Sequence, residues 1–207
     1  MDADAVEIRV LGCLIEKQRT TPDTYPLSLN SLRLACNQST ARDPVVAYDE
    51  PTIRAALERL DRKRWARLAS GPGSRAAKFR HLLDEALDLD GPELSLLAVL
   101  MLRGPQTPGE LKLRADRLHS FASPAEVEEV LRGLASRELV QQLDRRPGQK
   151  EERWIQLLGD GGEGAAAAPP AKAGEARAPF LSPDSLESRV AALEREVASL
   201  REALEAR

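Results

Sequence analysis

Nine basic side chains crowd one short stretch of this 207-residue chain. Between Glu50 and Leu83 stand Arg54, Arg59, Arg62, Lys63, Arg64, Arg67, Arg75, Lys78 and Arg80, against Glu50, Glu58 and Asp61. The local charge is +6 in a chain whose formal charge is −3. Guanidinium forks match phosphate oxygens and guanine edges, and lysine adds a mobile point charge. A helix beginning after Asp49 or Glu50 takes Pro51 in its first turn, with Ile53, Ala56, Leu57 and Leu60 on its inner face. The candidate nucleic-acid contacts are Thr52, Arg54, Arg59, Arg62 and Lys63 on that helix and Arg75 and Lys78 on the hairpin after it. Arginines on the helix would reach base edges, and Arg75 and Lys78 would hold phosphate. Glu58 shares the outer face and opposes this reading, and a merely solvated basic face is the alternative. A second candidate contact loop holds Asn37, Gln38 and Arg42, which would either meet DNA or a partner peptide or cap helix ends.

Other chemistry has little material. Cys13 and Cys36 have 22 residues between them and no histidine or second pair beside them, so two small buried residues are expected, neither a metal site nor a disulfide. His81 and His119 have no partner at a catalytic spacing. Gly71 and Gly73 suit a hairpin tip better than a phosphate cradle, because no lysine-serine pair opens a helix after them. No catalytic residue, cofactor or metal is expected.

The elements that would carry the basic residues are written twice. Thr21-Pro22, Pro72-Gly73 and Phe79 to Leu83 are answered by Thr107-Pro108, Pro147-Gly148 and Trp154 to Leu158. Apolar spacing predicts helices over 3–18, 28–36 and from Pro51 onward, with Ser28 as a cap and Leu29, Leu32 and Leu34 facing inward. Strands follow over 65–69 and 78–82, and 84–89 reads as a link. The second copy has helices over 91–102 and 108–118. Its third helix is capped by Ser123 with Pro124 and a Glu126 capping box, and carries an inner stripe of Val127, Val130, Leu131 and Leu134. Its strands fall at 139–143 and 153–157. Three helices and a hairpin are the order of a winged helix, so the fold class expected is mainly α with small β-hairpins (α+β). Two such domains would span 1–88 and 89–158. The second copy's third-helix-to-hairpin region, from Ser123 to Leu158, sums to −1 and suits a protein partner or a brace better than DNA.

Residues 159–182 are rich in Ala, Gly and Pro and read as a flexible linker. In 183–207, Leu186, Val190, Leu193, Val197, Leu200 and Leu204 step by four and three. With Val190, Val197 and Leu204 at a, and Leu186, Leu193 and Leu200 at d, a parallel two-stranded coiled coil is favoured. Arg189 then faces the partner's position 194 and Glu196 its position 201, both opposite in sign. Packing of this helix on its own body is the alternative. The longest apolar run, 96–102, is far short of the ~20 residues a membrane span needs, and the acidic start has no signal-peptide pattern, so a cytoplasmic protein is expected.

Thr21-Pro22-Asp23-Thr24-Tyr25-Pro26-Leu27-Ser28-Leu29-Asn30, Ala35-Cys36-Asn37-Gln38, Ser70 to Arg75 and Arg103-Gly104-Pro105-Gln106-Thr107-Pro108-Gly109-Glu110-Leu111 together resemble the YceH-type family of bacterial proteins over residues 5–158. The resemblance implies tandem winged helices in a cytoplasmic protein and brings no known active site. The linker and the heptads lie outside that resemblance. Two functions are carried forward. One is a non-enzymatic DNA-binding protein, a possible transcriptional regulator, dimeric through its last helix. The other is a protein-protein adaptor that uses the winged helices as a platform.

Overall fold

A computed structural model describes residues 2–70, 76–145 and 151–159. Arg75, both hairpin tips, the linker and the heptad residues Leu186, Val190, Leu193, Val197, Leu200 and Leu204 lie outside the described residues. Those described are mainly helical, with two small antiparallel sheets. Seven helices are α1 (Ala5–Thr20), α2 (Leu29–Cys36), α3 (Glu50–Arg62), α4 (Leu83–Leu87), α5 (Gly91–Arg103), α6 (Pro108–Ala115) and α7 (Pro124–Ser136). Strands β1 (Leu27–Ser28), β2 (Ala66–Leu68) and β3 (Lys78–His81) form one sheet in the order β1-β3-β2, and β4 (Val140–Leu143) pairs with β5 (Arg153–Gln156).

Side chains in the sequence set the helix starts. Asp4 accepts the Glu7 N–H at 2.8 Å while the Glu7 carboxylate accepts the Asp4 N–H at 2.9 Å, so α1 opens on a capping box two residues later than its periodicity predicts. Ser28 and Asp49 cap α2 and α3 through the Ser31 and Thr52 amides. Each such cap contributes about 1 kcal/mol. Ser123 caps α7, but the Glu126 carboxylate takes the N–H of Ala122 and not of Ser123, so the expected capping box is shifted by one residue. In α2 the inner stripe is Leu32, Ala35 and Cys36, and Leu34, expected inside, is 56% exposed. The link after the first hairpin contains a helical turn, α4, ended by Asp88 in the left-handed region at φ 48°.

The two halves repeat in detail. In each, the third helix ends on a non-glycine residue with positive φ, Arg64 (60°) and Glu138 (56°). The next amide reaches back to the helix, Trp65 to Leu60 O and Leu139 to Leu134 O, and the chain then turns into a strand. In each, a residue before the second helix joins the hairpin: Leu27 and Ser28 pair with Phe79 and Lys78, and Gln106 bridges Trp154.

The core lies between the halves. α5 is buried at every position from Leu94 to Leu102, as a helix apolar on all sides must be, and α1 at every position from Glu7 to Ile15. These two helices pack most extensively on each other. Gly12 makes this approach possible: a Cβ there would sit 2.9 Å from Leu102 Cγ and Cδ2 and 3.1 Å from Met101 Cβ. Two further ties cross the halves. Ala3 N–H donates to Leu158 O at 3.1 Å, and Asp43 N–H donates to Leu102 O at 2.9 Å.

Candidate nucleic-acid interface

The third helix and hairpin of the first half are built so that Ile53, Ala56, Leu57 and Leu60 are buried and the remaining face of α3 is left outward. Arg54, Glu58, Asp61 and Arg62 are exposed there, and Thr52 is half-buried with its amide held by Asp49. The β2–β3 register sets Arg67 directly opposite Arg80 and Leu68 opposite Phe79. Like charges facing each other across strands cost the fold stability, so this pair is not there to hold the hairpin together. Arg80 is offset by Glu85 at 3.1 Å, and Arg67 is exposed. Lys78, opposite Ser28, is exposed as well. Among the described residues, Arg54, Arg62, Arg64, Arg67 and Lys78 make no ion pair.

Two of the predicted contacts face inward to α1. Arg59 lies 2.5 Å from Asp4 and 3.5 Å from Glu7. Lys63 reaches Glu7 at 2.8 Å and the Asp2 carbonyl at 2.7 Å, and rests 5.9 Å from the centre of the Trp65 ring. Glu7 is 1% exposed, so the two cations and the capping amide supply the partners that a buried carboxylate requires. The acidic start of the sequence was the visible signal for these pairs, but their separation of more than 50 residues hid the match.

The predicted contact loop is turned inward too. Asn37 donates to Tyr48 O at 2.7 Å and accepts from Tyr48 N at 2.9 Å, closing the loop upon itself. Arg42 is buried and donates to Ala35 O, Ala41 O, Gln38 Oε1 and both oxygens of Glu16, at 2.6 to 3.1 Å. Glu16 is consequently held below the usual carboxylate range: burial alone would raise it, and the Arg42 hydrogen bond and charge overcome that. Arg9, also buried, donates to Pro44 O at 2.6 Å.

The second half differs in charge and in how its charges are used. Arg114 and Arg153 pair with Glu110, Arg132 with Glu128, Arg137 with Glu93 and Arg145 with Glu152. Cys13 and Cys36 are buried and unbridged. His81 is buried against Gln18 and Leu83, and His119 packs edge-on to Phe121 at 4.7 Å. Among the described residues no His, Cys, Asp and Glu group has metal-binding geometry, and no helix is long and apolar enough to cross a membrane.

Between α3 and the hairpin runs a shallow groove of about 250 Å³, lined by Leu57, Leu68 and Phe79 and by Arg54, Arg67, Glu58 and Asp61. Its charges cancel, and Leu68 is 54% exposed within it.

Residues 3–149 match the model of a family described as a protein of unknown function, DUF480. The chain is 50% identical over 198 residues to a UPF0502 protein of Pelobacter propionicus, covering 95% of this chain and 89% of the relative. It is 49% identical over 201 residues to the UPF0502 protein GSU0233 of Geobacter sulfurreducens, covering 94% and 88%. With a UPF0502 protein of Shewanella amazonensis, identity is 44% over 209 residues, covering 98% and 96%. Coverage this complete extends past residue 158, so similarity to the relatives reaches into the linker and heptad region that the motif resemblance left out. The chain belongs to the DUF480 family of bacterial proteins, to which the UPF0502 and YceH-type proteins also belong.

Proposed function

We propose that this chain is a non-enzymatic, cytoplasmic DNA-binding or DNA-associated protein, a possible transcriptional regulator. Its tandem winged helices span 1–88 and 89–158, and a linker (159–182) leads to a helix (183–207) that pairs in parallel with a second copy. The observation that carries this reading is a contrast in charge use. On the third helix and hairpin of the second half, Arg132, Arg137, Arg145 and Arg153 each pair with a carboxylate, whereas on the same elements of the first half Arg54, Arg62, Arg64, Arg67 and Lys78 stand exposed with no ion pair among the described residues. A winged helix presents those elements to a duplex, the helix to the major groove and the hairpin to the adjacent backbone. Arg75, which lies outside the described residues and stands in sequence between β2 and β3, belongs to the proposed contact set. Arg59 and Lys63 act chiefly by fixing α3 to α1, and Asn37, Gln38 and Arg42 by bracing their loop.

Fluorescence anisotropy with a random-sequence duplex at roughly 50 and 200 mM salt tests the reading. Binding should weaken steeply with salt, and Arg67→Ala with Lys78→Ala should lower affinity and flatten the slope by about one unit for each phosphate interaction removed. An unchanged slope in that double variant, or no binding at the lower salt, defeats it.

The groove favours a second reading, a protein-protein adaptor. Its charge-neutral, partly apolar lining with Leu68 at the rim suits a helix or extended segment better than a phosphate backbone. Leu68→Glu should abolish capture of such a partner, and its effect on duplex binding should be small beside that of Arg67→Ala and Lys78→Ala.

A further inference from the structure

A different cleft, of about 430 Å³, opens where the last turns of α1, α5 and α6 converge beside loop residues 38–41. That volume falls within the range of small-molecule sites, ~300–1,000 Å³. Lys17, Arg103, Arg114 and Arg117 line it against a single carboxylate, Glu16, which Arg42 holds at 2.6 Å and Lys17 itself at 3.3 Å. The Arg103 and Arg117 side chains make no hydrogen bond or ion pair among the described residues, and Arg114 has only Glu110 at 3.7 Å, a carboxylate held closer by Arg153 at 2.8 Å.

Cations at helix C-termini have an ordinary explanation, since they complement the helix dipole. The magnitudes show that this is not enough. Three C-terminal ends supply about −1.5 elementary charges in all, whereas the lining carries a net +3. A positive surplus remains, in a partly desolvated place. Arg103 registers it: burial lowers its pKa below the usual arginine value, and Arg114 and Arg42 push the same way against the pull of Glu16 and Asp43. The wall is not only charged. Val99 and Leu102 line it, and Leu113 stands 79% exposed at its edge.

We propose that this cleft binds a small phosphorylated metabolite, whose multiply charged group meets Arg103, Arg114 and Arg117 and whose apolar or ring portion rests on Leu113. Two unpartnered guanidiniums call for an acceptor with several oxygens, which each can grip with two parallel hydrogen bonds. The site is separate from the basic hairpin. Lys17 lies ten residues along α1 from Glu7, the anchor of α3, which is about 15 Å of helix.

Calorimetric titration of the full chain with inorganic pyrophosphate and with adenosine diphosphate tests this. Both should bind, the nucleotide more tightly. Arg103→Ala with Arg117→Ala should weaken both by about tenfold or more, the loss expected for removing charge-assisted hydrogen bonds. Leu113→Ala should erase the advantage of the nucleotide and leave pyrophosphate unchanged. Arg67→Ala with Lys78→Ala, which impairs the duplex interface, should leave both probes unaffected, so failure of the DNA reading would not count against this one. These positions are exposed or half-buried, and an unchanged melting transition will show that the variants fold. The proposal is overturned if neither probe binds, or if the double arginine variant binds them equally well. It is also overturned if that variant loses duplex affinity while the wild type binds no small anion, because the cleft would then be part of a nucleic-acid track.

Discussion

Arg42 and Arg54 show how one side chain serves opposite ends. Arg42 directs every donor to the Ala35 and Ala41 carbonyls, Gln38 and Glu16, tying its loop to α1 and α2, and Arg54 stands exposed with no ion pair among the described residues. Removing Arg42 would leave the mostly buried Glu16 carboxylate with Lys17, at 3.3 Å, as its remaining cation, and would strip Gln38 and the Ala35 and Ala41 carbonyls of their donor. Arg42→Met should therefore destabilise the fold by about 3–5 kcal/mol, measured by urea unfolding, and Arg54→Met by less than about 0.5 kcal/mol. Local sequence could not separate the two, since the partner of Arg42 is 26 residues away and a charge count carries no pairing information. His81 is a second residue whose surroundings decide its chemistry. Leu83 N–H donates to its Nδ1 at 3.3 Å, so Nε2 carries the proton and donates to Gln18 Oε1 at 2.7 Å. Burial holds its pKa down to about 4 from 6.5; Asp84 and Glu85 oppose the shift, and Arg80 and Arg19 add to it. The unfolded chain thus takes up this proton at higher pH than the folded one. Its contribution to stability is complete above pH 6.5 and is lost as pH falls from 6.5 toward 4, on the order of 3 kcal/mol in all. The His81 ring signals in an NMR titration should stay unprotonated through pH 5; a midpoint near 6.5 would contradict the buried neutral imidazole.

At the scale of elements, what was legible followed how local its cause is. Caps at Ser28 and Ser123 and the inner stripe of α3 are written within four or five residues of where they act. Strand β1 is two residues long and exists only because β3 lies beside it, and α4 has no side-chain cap, so neither has a local signature. The packing of α1 on α5 through Gly12 was equally hidden, because a glycine inside a helix is by propensity a defect. Gly12→Ala tests which effect wins. Alanine would improve the helix by about 1 kcal/mol, yet its Cβ would meet a buried leucine at 2.9 Å, and overpacking costs about 1–3 kcal/mol. Net destabilisation is expected. It should shrink in a Leu102→Ala background, where the two closest contacts are gone and only Met101 Cβ at 3.1 Å remains, and equal effects in both backgrounds would mean that the helices do not approach so closely. Arg64 offers the reverse case. Its left-handed conformation suits glycine, so Arg64→Gly should change stability by no more than about 1 kcal/mol while reducing duplex affinity and its salt slope.

At the largest scale, the described residues are a repeat in sequence and a single body in packing. The described residues lie within one compact unit, and the shared helices explain why. Cut at residue 88, the first half would expose the face of α1 around Leu11 and Gly12 that α5 covers. The second half would expose an α5 buried over nine consecutive positions, six of them leucine or valine. Full burial of each such side chain is worth about 1.5–3 kcal/mol, so losing even part of this packing rivals the ~5–15 kcal/mol that holds an ordinary domain folded. The ties from Ala3 to Leu158 and from Asp43 to Leu102 would be cut as well. Fragments 1–88 and 89–159 should each fail to give a cooperative thermal transition alone, and mixing them should restore helicity and one transition; residues 1–159 joined should melt in a single step. Two separate transitions in 1–159, or a well-folded 89–159 fragment, would mean that the halves are independent domains that merely touch. The cooperative outcome has a functional corollary: an anion in the cleft between α1, α5 and α6 would bind to the same compact unit that carries α3 and the hairpin. The melting temperature of 1–159 should then rise with pyrophosphate concentration as one transition, with no part of the molecule left behind.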